Sequence, residues 1–203
     1  MKIEIWSRSP YRFLTDCCWT MDEADQGKVK RFPEKPHIRV IADRWLRYDV
    51  LLVPKSRRMM CTWTFLALHL WAALFHGNSA IFIQSKKAED SQFLLGEKRL
   101  LFLYRNLPAG YPWAGIERAI KGKNGYDRLY FDNGSYIYAV AQGADQLRQY
   151  TASYIYATEL AFWDYPQSTW RAMKPTLEGG GKVAIDSSAG PGFFKDLVYG
   201  FQE

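Results

Sequence analysis

Lys55, Ser56, Arg57, Arg58, Met59, Met60, Cys61 and Thr62 stand in one unbroken stretch, three cations and two hydroxyls among them. That mixture suits the chemistry of phosphate. Ammonium and guanidinium groups offset its charge, backbone N–H groups surround its oxygens, and a hydroxyl joins the shell of a Mg²⁺ ion. The flanks have the right character for such a loop. Residues 48–53, Tyr-Asp-Val-Leu-Leu-Val, are a short apolar run rich in β-formers and predict a buried strand. Residues 62–75 predict a helix that is apolar on nearly every face, ended by His76-Gly77-Asn78. Against the general pattern GxxxxGK[ST], with Thr62 in the final place, Cys61 stands where lysine is usual and Met60 where the second glycine is usual. Lys55 then takes the first position. By that pattern the match fails, and a basic surface loop ahead of a core helix accounts for the composition as well.

Three other segments carry groups of interest. Residues 154–163 read Tyr-Ile-Tyr-Ala-Thr-Glu-Leu-Ala-Phe-Trp, an apolar run leading into Thr158 and Glu159. A glutamate there is either a group that polarises an attacking water or a solvated charge at a strand end. Arg148 lies in Gln-Gly-Ala-Asp-Gln-Leu-Arg-Gln-Tyr-Thr, and Ser187 and Ser188 open a Ser-Ser-Ala-Gly-Pro-Gly turn.

Taken in order, these segments resemble the ATPase domain of the large terminase subunit of tailed bacteriophages. Lys-Ser-Arg-Arg-Met-Met-Cys-Thr is similar to that family's variant phosphate loop, in which the lysine moves to the start and an arginine, here Arg58, holds the fourth place. Met60 departs from the family's glycine. The resemblance implies that ATP binds along residues 55–62, with Thr62 and Thr158 nearest the Mg²⁺. It implies that Glu159 is the catalytic glutamate, although Thr158 replaces the aspartate that normally precedes it. It implies further that Arg148 reaches a γ-phosphate, in its own subunit or a neighbour's, and that Ser187 and Ser188 couple nucleotide state to DNA movement. The resemblance extends over residues 40–194.

Strands and helices must position these groups. Residues 80–85 predict a second strand and 86–106 a long helix. Residues 128–131 and 135–140 flank Asp-Asn-Gly, the strongest short-range hairpin signal. Residues 153–157 and 182–186 predict two more strands, with a helix over about 167–177 between them that Pro175 disturbs near its end. Strands alternating with helices give an α/β class, a mostly parallel sheet covered on both faces; the resemblance makes it a P-loop NTPase of the ASCE type. Residues 1–47 read as an irregular arm or adapter and residues 48–203 as the ATPase core. Residues 44–49 are candidates for the adenine pocket.

The whole-chain figures agree with this reading without compelling it. A net charge of +6 and a pI near 9.2 favour an anionic partner. The 48% hydrophobic content supports a substantial core. Cys17, Cys18 and Cys61 fit no zinc spacing and read as reduced thiols, and the three histidines form no ligand cluster. No signal peptide is expected at the N-terminus, and the longest apolar run falls short of the roughly 20 residues that span a bilayer. A soluble chain with no membrane partner is expected. By resemblance, its partners are double-stranded DNA, the viral portal and the small terminase subunit. The working form is a homo-oligomeric ring at the procapsid portal in the host cytoplasm, and no nuclease domain is expected within this chain. Two other classes remain open: an inert P-loop module for DNA binding or assembly, and a basic, aromatic-rich nucleic-acid binder with no nucleotide site.

Overall fold

A computed structural model describes residues 2–200. In chain order the elements are α1 (Lys2–Arg8), α2 (Pro10–Cys17), β1 (Trp19–Asp22), β2 (Lys28–Arg31), α3 (Pro36–Arg47), β3 (Val50–Lys55), α4 (Cys61–Phe75), β4 (Ala80–Ser85), α5 (Ala88–Leu95) and α6 (Leu100–Arg105). Then come β5 (Ile116–Lys121), β6 (Tyr126–Phe131), β7 (Tyr136–Ala141), β8 (Tyr154–Thr158), α7 (Pro166–Glu178), β9 (Lys182–Ser188) and α8 (Phe193–Tyr199).

Seven strands form one sheet in the order β3-β9-β8-β4-β7-β6-β5. The pairs β3–β9, β9–β8, β8–β4 and β4–β7 are parallel, and the hairpin strands β5 and β6 extend the sheet antiparallel. The mostly parallel α/β architecture expected from the alternation is therefore present. The Asp-Asn-Gly turn joins β6 to β7 as its sequence demands: Gly134 has φ +82°, and a Cβ there would stand 2.2 Å from Asn78 Oδ1.

Helix α4 is the centre of the core. Thirteen of its residues are buried, as the all-round apolar pattern requires. Its Trp71 donates from the indole nitrogen to the Trp6 carbonyl at 2.6 Å and touches Trp45 and Phe75 edge-on or tilted. Residues of α1, α2 and α3 thus share a core with the sheet. Trp71→Ala should cost about 3–5 kcal/mol of folding stability through the cavity and the orphaned carbonyl. Urea denaturation checks this, and a loss under about 1 kcal/mol would show that the site collapses without penalty.

Three local expectations need correction. Of the stretch 1–47 expected to be irregular, the described residues 2–47 hold three helices and the antiparallel β1–β2 pair. In α3 the buried residues Ile38, Ile41, Ala42 and Trp45 follow helical spacing, and Pro36 sits in its first turn, where it has no N–H to lose. The 86–106 helix is two helices, because the chain turns at Gly96, whose N–H bonds the Phe93 carbonyl at 3.0 Å. Strand β3 is half-buried rather than buried, since it lies at the sheet's edge with β9 on one side only.

Candidate active site

Strands β3, β8 and β9 end side by side, and parallel pairing brings their C-terminal residues together. Lys55 is in register with Ser188, and Thr158 with Asp186. The Lys55 side chain, only 9% exposed, forms an ion pair with Glu159, lies 3.3 Å from Ser188 Oγ and 3.8 Å from Asp186 Oδ2. One cation thus faces two carboxylates and a hydroxyl supplied by three strands.

Glu159 is fixed from several directions. It follows β8 with φ 56° and ψ 42°, left-handed space that a non-glycine residue occupies only at a cost of about 1–2 kcal/mol. Its own N–H bonds the Asp186 carbonyl at 2.7 Å. Its carboxylate accepts from the Ser188 N–H at 2.9 Å and the Ser188 hydroxyl at 3.2 Å, and the Ser187 hydroxyl lies 3.5 Å away. Partial burial pushes the Glu159 carboxyl up, but the Lys55 ammonium and the two Ser188 donors outweigh it and hold it below the usual value. Glu159 is therefore ionised throughout the neutral range.

Asp186 behaves in the opposite way. It is fully buried, and burial pushes its carboxyl up to about 6 against the pull of Lys55 and of the Thr158 and Tyr156 hydroxyls. Tyr156 donates to Oδ1 at 3.0 Å, while Oδ2 has no hydrogen-bond partner among the described residues. Sequence reading passed over this residue as the end of an apolar strand. Its signal is a carboxylate inside Val-Ala-Ile-Asp-Ser, but only the strand register reveals that it faces Thr158.

The loop from Ser56 to Met60 connects β3 to α4. Ser56, Arg57 and Arg58 are exposed, and Met59 and Met60 are half-buried. Arg58 and Met60 adopt positive φ, 63° and 61°. Met60 thus takes the left-handed conformation that a glycine at this place would take freely. Met60 caps α4 with no side-chain hydrogen bond, so the first N–H groups of a 15-residue helix lack a side-chain acceptor at the cap. Such an end, with its positive dipole and the cations before it, attracts an anion. The Cys61 thiol is pushed up to about 12 by burial and by Asp186, which rules it out as a nucleophile near neutral pH.

Two depressions meet here. One of 740 Å³ runs from Lys55 and residues 58–63 to the β1–β2 pair and Pro33, Lys35 and Phe93. The other, 490 Å³, is lined by Thr62, Ser85, Thr158, Glu159 and residues of α5. Thr20, Met21, Lys30, Arg31 and Pro33 are part of the wall next to the loop, and residues 44–49 line neither depression. Among the described residues no group of three or more His, Cys, Asp or Glu could hold a metal alone. A Mg²⁺ ion needs less, since it keeps several waters and takes one or two carboxylates plus phosphate oxygens. Thr62 and Thr158 on the depression, with the Asp186 carboxylate buried behind Thr158 as its register partner, are hard oxygens of the kind that ion takes.

The expected site residues divide accordingly. Lys55, Glu159 and Ser188 are in mutual contact, and Ser187 accepts from the Ala161 N–H at 3.1 Å beside them. Thr62 and Thr158 line the same depression. Arg148 stands elsewhere, on the β7–β8 crossover, 69% exposed and 3.2 Å from Asp145, where it lines a different hollow with Ser168 and Arg171.

Strand order, register and the loop between β3 and α4 are those of a P-loop NTPase fold. Solved structures narrow the fold further. The chain is similar to a mutant large terminase ATPase domain of Thermus phage P74-26 (TM-score 0.61, 13% identity, 82% of this chain and 70% of that one). It is also similar to the large terminase of bacteriophage HK97 (TM-score 0.64, 13% identity, 91% of this chain and 38% of that one). A third similarity is to the large terminase of a thermophilic bacteriophage in complex with ADP (TM-score 0.51, 16% identity, 80% and 43%). The fold is that of large terminase ATPase domains, and the chain spans less than half of the two longer proteins. No protein-family model matches the chain. No curated protein matches it either.

Proposed function

We propose that this chain is the ATP-hydrolysing motor domain of a viral DNA-packaging terminase. The observation that carries the reading is the meeting of Lys55, from the start of the loop, with Glu159, from the end of β8, across the C-terminal edge of the parallel sheet. Ligands of open α/β sheets bind at that edge. The terminase fold and the ADP held by one similar protein support the same reading.

Lys55 exchanges its carboxylate partners for phosphate oxygens, guided by Arg57, Arg58 and the N-terminus of α4. Its departure leaves the Glu159 carboxylate free to take a proton from an attacking water, a task for which an ionised group held by Ser188 is prepared. Mg²⁺, when bound with the nucleotide, offsets charge on the phosphate oxygens. Ser187 and Ser188, which touch Glu159 and the Ala161 N–H, pass the change at the site to the chain beyond β9. Arg148, exposed and away from its own Lys55, serves a neighbouring subunit's site in a homo-oligomeric ring. The ring's partners are double-stranded DNA, the viral portal and the small terminase subunit, at the procapsid in the host cytoplasm.

A second reading is favoured by Met60, Cys61 and Thr158: an inert P-loop module that binds DNA or assembles the machine. Turnover of ATP by the purified chain, with and without Mg²⁺ and double-stranded DNA, separates the two. Mg²⁺-dependent turnover that DNA accelerates supports the motor. Absence of both turnover and ATP binding, in a folded chain that retains DNA affinity, replaces it with the inert module.

A further inference from the structure

The residue before the glutamate is the weak point of the proposed site, because Thr158 brings no charge. The carboxylate that ought to stand there is one strand away. Thr158 and Asp186 are register partners on the parallel strands β8 and β9. Register partners lie about 4.8 Å apart and project to the same side of the sheet. Tyr156, two residues before Thr158 and so on the same face, confirms the direction by donating to Asp186 Oδ1 at 3.0 Å. The second oxygen, Oδ2, lies 3.8 Å from the Lys55 ammonium and accepts no hydrogen bond from the described residues. A fully buried carboxylate with a bare oxygen is costly to keep unless something occupies that direction. Lys55 does so while it remains among the strand ends. Once it turns to phosphate, Oδ2 is left without an opposing charge, buried behind Thr158, the register partner of Asp186, which lines the 490 Å³ depression.

Resting on the nucleotide-site reading above, we propose that Asp186 is the Mg²⁺-organising carboxylate of this chain. It acts from β9 through the ion's water shell, in place of the acid that Thr158 does not supply. The Thr158 hydroxyl then serves as a neutral partner to the same waters. The carboxylate has moved sideways by one strand, and the site keeps the charge it requires.

Calorimetric titration of ADP into the purified chain, once with Mg²⁺ and once with EDTA, tests this apart from turnover. Wild type should bind ADP more tightly with Mg²⁺. Asp186→Asn should reduce that Mg²⁺-dependent gain about tenfold or more, the usual loss when a group that orients a metal's shell is removed. Its affinity for metal-free ADP should be unchanged or higher. Thr158→Asp/Asp186→Asn returns the charge to β8 and should restore most of the gain, with thermal melting showing that each variant is folded. A full Mg²⁺ gain in Asp186→Asn would overturn the proposal and leave Asp186 as a counterion to Lys55. Equal losses with and without Mg²⁺, unrescued by the double variant, would overturn it too. A wild type that binds ADP equally with and without Mg²⁺ defeats this assignment while the nucleotide site stands; one that binds no ADP at all defeats the site reading itself.

Discussion

Glu159→Gln should lower kcat for Mg²⁺-dependent ATP hydrolysis by about 10²–10⁴, the range for loss of a positioned general base. The substitution preserves size and shape and leaves one oxygen to accept from the Ser188 N–H, which lies 2.9 Å from the glutamate carboxylate. What it removes is proton affinity. The Ser188 donors, which favour the ionised form, stay in place when Lys55 turns to phosphate, so the native group remains a base near neutral pH and the amide never is. KM should stay within about threefold, because an interaction made only in the transition state leaves ground-state binding intact. The alternative role, a mere anchor for Lys55, predicts a different split: the lysine would be released, ADP affinity would rise or fall, and kcat would hardly change. Steady-state kinetics with a parallel ADP titration separates these results, and an unchanged kcat sinks the assignment.

How legible the molecule was in its sequence depends on the range over which each signal acts. Strand β4 and helix α4 were placed nearly to the residue, because a continuous apolar run bounded by His76-Gly77-Asn78 is a local statement. The β6–β7 hairpin followed from Asn133-Gly134 for the same reason. Helix α3 carried an equally local pattern in Ile38, Ile41, Ala42 and Trp45, but Pro33, Pro36 and the surrounding charges disguised it as irregular chain. Gly96, one residue, divided a helix that the leucines on either side suggested was continuous. The site shows the same contrast. Lys55, Thr62, Glu159 and the two serines stood out in their own segments. Asp186 did not, since nothing within Val-Ala-Ile-Asp-Ser states which strand will lie beside it. Only the pairing of β9 with β8 places its carboxylate next to Thr158. Met60, which stands where the family has glycine, takes a left-handed φ of 61°, a conformation strained for methionine that the sequence does not announce.

Lys55→Met should destabilise the fold by about 3–5 kcal/mol at pH 8, the cost of stripping a buried charge of its partner. The lysine side chain is 9% exposed and the Asp186 side chain is fully buried, so water does little to replace the lost attraction. The pH dependence follows from Asp186, whose carboxyl is raised from its ordinary 3.8 to about 6. A raised folded-state value means that its contribution to stability is fully present below the unfolded value and is lost as pH climbs through about 6. In the wild type that loss is on the order of 3 kcal/mol between pH 4 and 7. Removing Lys55 raises the carboxyl further, so the loss continues to higher pH. The deficit of Lys55→Met against wild type should therefore be small near pH 5 and largest near pH 8. The Glu159 pair adds nearly the same small deficit at both pH values, because Glu159 is held below its usual value and its side chain is 38% exposed, where water screens it. Lys55→Met/Asp186→Asn removes both charges together and should recover most of the stability at pH 8, since a neutral pair of similar volume leaves no charge stranded. Urea denaturation of the three proteins at both pH values measures these differences. A deficit that does not change with pH, or a double variant no more stable than Lys55→Met, would mean that the charge Lys55 offsets is not that of Asp186.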